Sequence, residues 1–224
     1  MARRSLLALL VLILMAVAVP AARANNVELL SFQGLNDLQP VGNYYNGGGG
    51  LNIPNYGVTF SSNFYGLRSV YQGGSGGFAP DPTSTPAIFI NGISGTPATG
   101  YMNVAAGFSN GISFFFTASF AETVTIWSGA NGTGTVLATM TLGPNNGSCS
   151  GFPSYCNWSG AGLNFSGTAK SVTFSGAANG IGIADITLGQ SSTAVPESSS
   201  GIFLGTGIAA ALLARLRSFS LSVE

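Results

Sequence analysis

The chain has 224 residues, only 6% of them charged, and its seven basic and seven acidic side chains balance to a net charge of zero. Histidine is absent, which excludes Ser-His-Asp and Cys-His catalysis and every His-ligated metal site. No basic patch exists to give nucleic-acid binding an electrostatic footing.

The first segment reads as an export signal. Arg3 and Arg4 form a positive start, Leu6 to Val19 is an unbroken apolar run, and Pro20 ends it. Ala22-Arg23-Ala24 then supplies small residues at the two positions a signal peptidase reads, so cleavage is expected after Ala24. Residues 1–24 are the signal and the mature chain begins at Asn25. Export follows, and with it an oxidising compartment.

Residues 25–189 read as one domain of β-strands. Between Asn25 and Ala194, Arg68 and Lys170 stand against Glu28, Asp37, Asp81, Glu122 and Asp185, a net charge of −3. "YGVTFSS" (Tyr56–Ser62) alternates, with Val58 and Phe60 on one face. "GISFFFTASF" is denser and suits a central strand buried on both faces, or one beside a bulge. "ETVTIWS" puts Val124 and Ile126 on one face and Thr123, Thr125 and Trp127 on the other. "SGANGTGT" (Ser128–Thr135) should be a hairpin loop, because Asn-Gly supplies the positive φ such turns need. "AKSVTFSG" repeats the alternation, and "SGAANG" turns the chain into a last strand, "IGIADITLG". The Gly/Pro-rich stretches "NYYNGGGGLNIPN" and "YQGGSGGFAPDPTSTP" are long loops, of the kind that carry function. About nine or ten strands, no helix and short turns predict an all-β fold, an antiparallel jelly-roll-like β-sandwich.

Cys149 and Cys156 bracket "CSGFPSYC". In an exported chain they read as a disulfide closing a surface loop, worth about 2–3 kcal/mol on the chain-entropy argument. A thiol nucleophile or a metal pair is the competing reading, and it lacks a partner His or further Cys. Five acids in the domain show no recognisable pair, so catalysis, including glycoside hydrolysis, has no assigned residues. Four Asn-X-Ser/Thr matches, at Asn131, Asn146, Asn157 and Asn164, follow from a composition rich in these residues.

Residues 190–200, "QSSTAVPESSS", form a polar linker. Residues 201–224 hold an apolar run from Gly201 to Ala214, expected as a short helix, followed by Arg215, Arg217 and a short tail. Fourteen apolar or small residues fall short of the roughly 20 of a comfortable span. The arginines would hold that end in the cytoplasm, with the domain outside.

Val195-Pro196-Glu197, an apolar helix and an arginine cluster, in that order, resemble the PEP-CTERM sorting signal. The family motif has a second proline where this chain has Ser198, and here "SFSLSVE" extends past the arginines. The resemblance implies an exosortase-type processing enzyme as partner and a transient or retained stay of the C-terminal helix in the inner membrane. It also implies delivery to the cell envelope or extracellular matrix. The stretches "FQGLNDLQPVGNYYNGG", "MNVAAGFSNGISFFF" and "TVTIWSGANGTGTVLATMTL" resemble ectodomains found with that signal, which look like secreted, non-enzymatic β-sandwich modules akin to carbohydrate-binding jelly rolls. Such modules often hold a structural Ca²⁺. Asp185, with Asn36 and Asp37, is the candidate ligand set, although similar sequences carry acids where this one has Gln33 and Ala184. The alternative role for Asp185 is to cap a turn or bond a backbone amide. No other cofactor is expected. A carbohydrate-binding module for exopolysaccharide is the alternative function. Tyr44, Tyr45, Tyr65, Tyr71 and Trp158, in or near loops, are its candidate aromatic contacts, since sugar rings stack on aromatic faces.

Overall fold

The computed structural model describes residues 27–150 and 154–192, and in them the period-two pattern becomes eleven strands and one 3-10 turn. The predicted signal cleavage site (Ala22, Ala24) and sorting signal (Val195, Pro196, Glu197, Arg215, Arg217) lie outside the described residues. Among the described residues no helix is long and apolar enough to cross a membrane.

The strands are β1 (Glu28–Leu30), β2 (Val58–Phe60), β3 (Phe64–Leu67), β4 (Ala87–Ile90), β5 (Pro97–Phe108) and β6 (Gly111–Ala118), then β7 (Glu122–Trp127), β8 (Val136–Leu142), β9 (Ser159–Asn164), β10 (Ala169–Ala177) and β11 (Ile181–Leu188). They form two antiparallel sheets. One runs β3-β4-β11-β6-β9, with β1 also on β11; the other runs β2-β5-β10-β7-β8. The chain changes sheet at every connection except β3–β4 and β7–β8. Two strands carry little strand signal: β1 has three residues, and β9, "SGAGLN", lacks the branched and aromatic residues that mark a strand.

The core lies between the sheets. Val58 and Phe60, Met102 and Val104, Val124 and Ile126, and Val172 and Phe174 face inward from one sheet. Ile88 and Ile90, Ile112, Phe114 and Phe116, and Ile181 and Ile183 meet them from the other. Edge-to-face rings tie the layers together: Phe174 lies 6.0 Å from Phe64 and 5.8 Å from Phe114.

Strand β6 is buried on both faces, as its density of apolar residues predicts. Its outward Phe115 joins a second, smaller cluster with Phe78, Ala87, Ala184, Tyr155 and Trp158. Two loops build that cluster. The long Gly/Pro loop after β3 and the loop containing Cys149–Cys156, which are disulfide-bonded, run side by side through a Phe78–Tyr155 bridge. The outer face of the six-stranded sheet is therefore largely covered. The outer face of the five-stranded sheet is not.

Candidate functional site

Alternation sends one polar side chain outward for each apolar one sent inward, so the open face of the five-stranded sheet is written in the same strands as the core. Strand register arranges it in three cross-strand rows. The first is Thr59, Asn103, Ser171 and Trp127; the second is Tyr101, Thr173, Thr125 and Thr139; the third is Thr99, Ser175, Thr123 and Thr141. Every position but two is Ser, Thr or Asn, and none is charged. Lys170, beside the first row, is turned to the Ala105 carbonyl at 2.8 Å.

The two exceptions are Tyr101 and Trp127, both half-buried. They sit on either side of β10, two strand spacings apart and one row out of step, which places their backbones about 12 Å apart on a diagonal of the sheet. The Trp127 Nε1 donates to Thr173 Oγ1 at 3.0 Å, and this fixes the ring. The β7–β8 hairpin folds back over the first row as a wall. Gly132 N–H donates to Ser171 Oγ at 3.0 Å, Ser171 Oγ–H donates to the Gly129 carbonyl, and the Asn103 and Asn131 amides pair at 2.7 Å. The predicted Asn-Gly turn is what lets the loop lie so low. Asn131 has φ +56 and Gly132 φ +68, and a Cβ on Gly132 would fall 2.8 Å from Thr173. The hairpin and the indole bury Ser171 and Thr173, so the part of the face left open is an uncharged set of threonines, Thr99, Thr123, Thr125, Thr139 and Thr141, bordered by the two half-buried rings.

The loop aromatics expected to contact sugar are placed differently. Tyr44 and Tyr45 are buried, at 5% and 3% exposure. The Tyr45 hydroxyl accepts from Phe32 N–H at 2.7 Å, the Tyr44 hydroxyl donates to the Gln33 carbonyl, and the two rings pack edge to face. Neither ring has a face left for a ligand. Trp158 pins two loops, with its Nε1 donating to the Ala79 carbonyl at 2.8 Å and its ring against Phe78. Tyr65 lies on the other sheet beside Phe89. Tyr71 alone stands well exposed, at 62%, and it lies apart from the open face in the 3-10 turn Val70–Gln72. Tyr101 and Trp127 were missed as site residues. Their signal was present: in "ETVTIWS" the tryptophan falls on the polar side of the alternation, where an aromatic ring is not needed for the core.

The three candidate calcium ligands do not form one set. Asp37 accepts from the backbone N–H groups of Arg68 and Ser75, and Asn36 bonds Gln39. Asp185 pairs instead with Asp81, an acid the sequence showed in no pair. Thr83 Oγ1 contacts a carboxylate oxygen of each, and Thr85 donates its N–H to Asp81 Oδ1 at 2.8 Å. Asp185 sits at φ +52 in a bulge of β11, which turns its side chain out of the sheet toward that loop. Burial pushes the Asp185 carboxyl up to about 6; the Thr83 hydroxyl opposes the shift, and the charge of Asp81 adds to it. With 3% and 6% exposure, the two carboxyls leave no room for a glycosidic oxygen and an attacking water. The pair is a latch between loop and sheet. Among the described residues no three His, Cys, Asp or Glu are grouped to hold a metal.

A recess of about 230 Å³ on the other sheet is lined by Leu67, Phe78, Phe89, Ile181 and Tyr155. The Tyr155 hydroxyl is already engaged with Ser119 and the Asn179 carbonyl, while Thr117 Oγ1 and Asn179 Oδ1, on two other lining residues, are buried without a partner.

No family model matches the chain, and no curated protein does. Solved structures are similar to it only distantly. The cleaved adhesin domain of Lys-gingipain from Porphyromonas gingivalis is 12% identical, with a TM-score of 0.46 over 75% of this chain and 99% of that one. A variant of a family 29 carbohydrate-binding module is 12% identical, with a TM-score of 0.42 over 78% and 100%. A family 6 carbohydrate-binding module is 17% identical, with a TM-score of 0.38 over 73% and 94%.

Proposed function

We propose that this chain is an exported, non-enzymatic β-sandwich of jelly-roll winding that binds an uncharged polysaccharide on the open face of its five-stranded sheet. The observation that carries the reading is that Tyr101 and Trp127 border an open sheet face whose other outward positions are Ser, Thr and Asn. A sugar ring offers an apolar C–H face for stacking and a rim of hydroxyls for hydrogen bonds, and this face presents both complements. The rows themselves carry no charge and the cation beside them, Lys170, is held on the Ala105 carbonyl, which disfavours phosphorylated or sulfated ligands, since these need several cationic partners. The export signal and the disulfide support a place outside the cytoplasm. In this reading the tail, through Val195-Pro196-Glu197 and the Arg215–Arg217 cluster, is handled by an exosortase-type enzyme after a stay in the inner membrane, and the domain is delivered to the envelope or extracellular matrix.

Affinity electrophoresis in gels cast with neutral polysaccharides tests the binding. The protein should be retarded by at least one of them, and Trp127→Ala and Tyr101→Ala should each relieve that retardation. Free migration in every neutral gel, or retardation unchanged in both variants, would overturn it.

A further inference from the structure

The two flanks of the sandwich are treated differently. On one flank, residues 38–45 strap both exposed edges. Gly42 and Tyr45 carbonyls accept from Phe60 and Val58 of β2, while Leu38, Gln39 and Val41 exchange backbone bonds with Phe64 and Gly66 of β3. On the other flank β8 is the edge of the five-stranded sheet, and among the described residues its backbone makes no bond on the side away from β7. An edge strand presents a row of unpaired N–H and C=O groups, and proteins usually blunt such a row with lysine, proline or a bulge. Val136–Leu142, "VLATMTL", has no charge and no proline. Its one irregularity lies opposite Trp127 at the start of the strand, and Ala138–Leu142 is regular.

We propose that β8 is an assembly edge that pairs antiparallel with β8 of a second copy of this chain. The strand is suited to itself. A two-fold axis at Met140 sets Ala138 opposite the partner's Leu142 and Thr139 opposite the partner's Thr141. That register keeps Met140, Ala138 and Leu142 on the inner face and both threonines on the outer one, so neither face is inverted at the junction. No like charges meet across it. The contact is isologous and closes at two copies, and it joins two five-stranded sheets into one of ten strands. The hydroxyl rows that end at Thr139 and Thr141 then continue into the partner.

Sedimentation velocity of the exported protein over a wide concentration range tests this independently of any glycan. The expected result is a reversible monomer–dimer equilibrium, with hydrogen exchange at the β8 amides slowing as concentration rises. The double variant Thr139→Lys/Thr141→Lys sets introduced lysines against each other across the axis and should weaken the dimer at least tenfold. Thr139→Lys/Thr141→Glu sets opposite charges there and should restore it. A protein that stays monomeric throughout would overturn the proposal. So would a double-lysine variant that dimerises as the parent does, or β8 exchange that does not respond to concentration, a readout that needs no variant to fold.

Discussion

Trp127 and Thr173 are joined by a 3.0 Å hydrogen bond from indole Nε1 to Oγ1, between neighbouring strands of the open sheet. A hydroxyl of the sheet thus holds the ring that borders the open face. An immobilised ring does not lose rotamer freedom when a sugar stacks on it, so the bond favours binding without touching the ligand. Trp127→Ala should weaken polysaccharide binding about tenfold, the loss of roughly 1.4 kcal/mol expected of one aromatic contact. Thr173→Val keeps the ring and frees it, and should cost a smaller factor, visible by titration calorimetry as a less favourable entropy. If Thr173→Val binds as the parent does, the bond only packs the hairpin.

The Asp81–Asp185 latch makes stability depend on pH in a direction opposite to that of a salt bridge. The folded Asp185 carboxyl titrates at about 6, above its ordinary value of 3.8, so the native state binds the proton more tightly than the unfolded chain does. Its contribution is complete below about pH 4 and is lost as pH rises through 6. The melting temperature should therefore fall between pH 4 and pH 7. Asp185→Asn should flatten that slope, because asparagine tolerates the positive φ at this bulge and carries no charge beside Asp81. A slope unchanged in the variant would place its origin in another carboxyl.

How much of this was legible in advance depended on how local the cause was. The alternation in "ETVTIWS" and "AKSVTFSG" placed the inner and outer faces of β7 and β10 correctly, since period two needs no knowledge of the partner strand. The outward position of Trp127 followed from the same pattern. Tyr44 and Tyr45 failed as exposed residues because their burial is decided at a distance. Glycine-rich flanks suggest a loose loop, yet the Tyr45 ring packs on Phe32 and bonds its backbone. The Asp81–Asp185 pair was equally hidden, for a bulge in β11 and a Pro-flanked loop had to converge before either acid met the other. No spacing rule connects residues brought together that way.

The Cys149–Cys156 bridge closes a loop whose downstream residues do structural work. Tyr155 exchanges backbone bonds with Gly77 and Ala79, and Trp158 bonds the Ala79 carbonyl. Replacing both cysteines by serine should lower unfolding free energy by about 2–3 kcal/mol, since the loop is short and the native contacts remain. Denaturant titration of the parent with and without reductant checks the value. The same treatment should leave polysaccharide binding nearly intact, because the bridge serves the opposite sheet. A matching loss of binding would mean that the two sheets are coupled through the core.

Glu122 is a further carboxyl that the fold buries at a cost. It begins β7 at 1% exposure, its Oε1 accepts from Ala177 N–H at 3.0 Å, and its Oε2 has no partner. Burial pushes its proton affinity up, against the pull of the Ala177 N–H. The side chain fits only because residue 176 is glycine, where a Cβ would overlap the Oε2. Two variants separate charge from shape. Glu122→Gln keeps the shape and removes the charge, so it should stabilise the protein more at pH 7 than in acid, where protonation of the glutamate already relieves the buried charge. Gly176→Ala keeps the charge and removes the space, so it should cost about 1–3 kcal/mol at both pH values, as overpacking does. If Glu122→Gln lost stability at pH 7 instead, the carboxylate would be holding the β10–β11 turn as an anion, and its unpaired oxygen would be a tolerated price of that bond to Ala177.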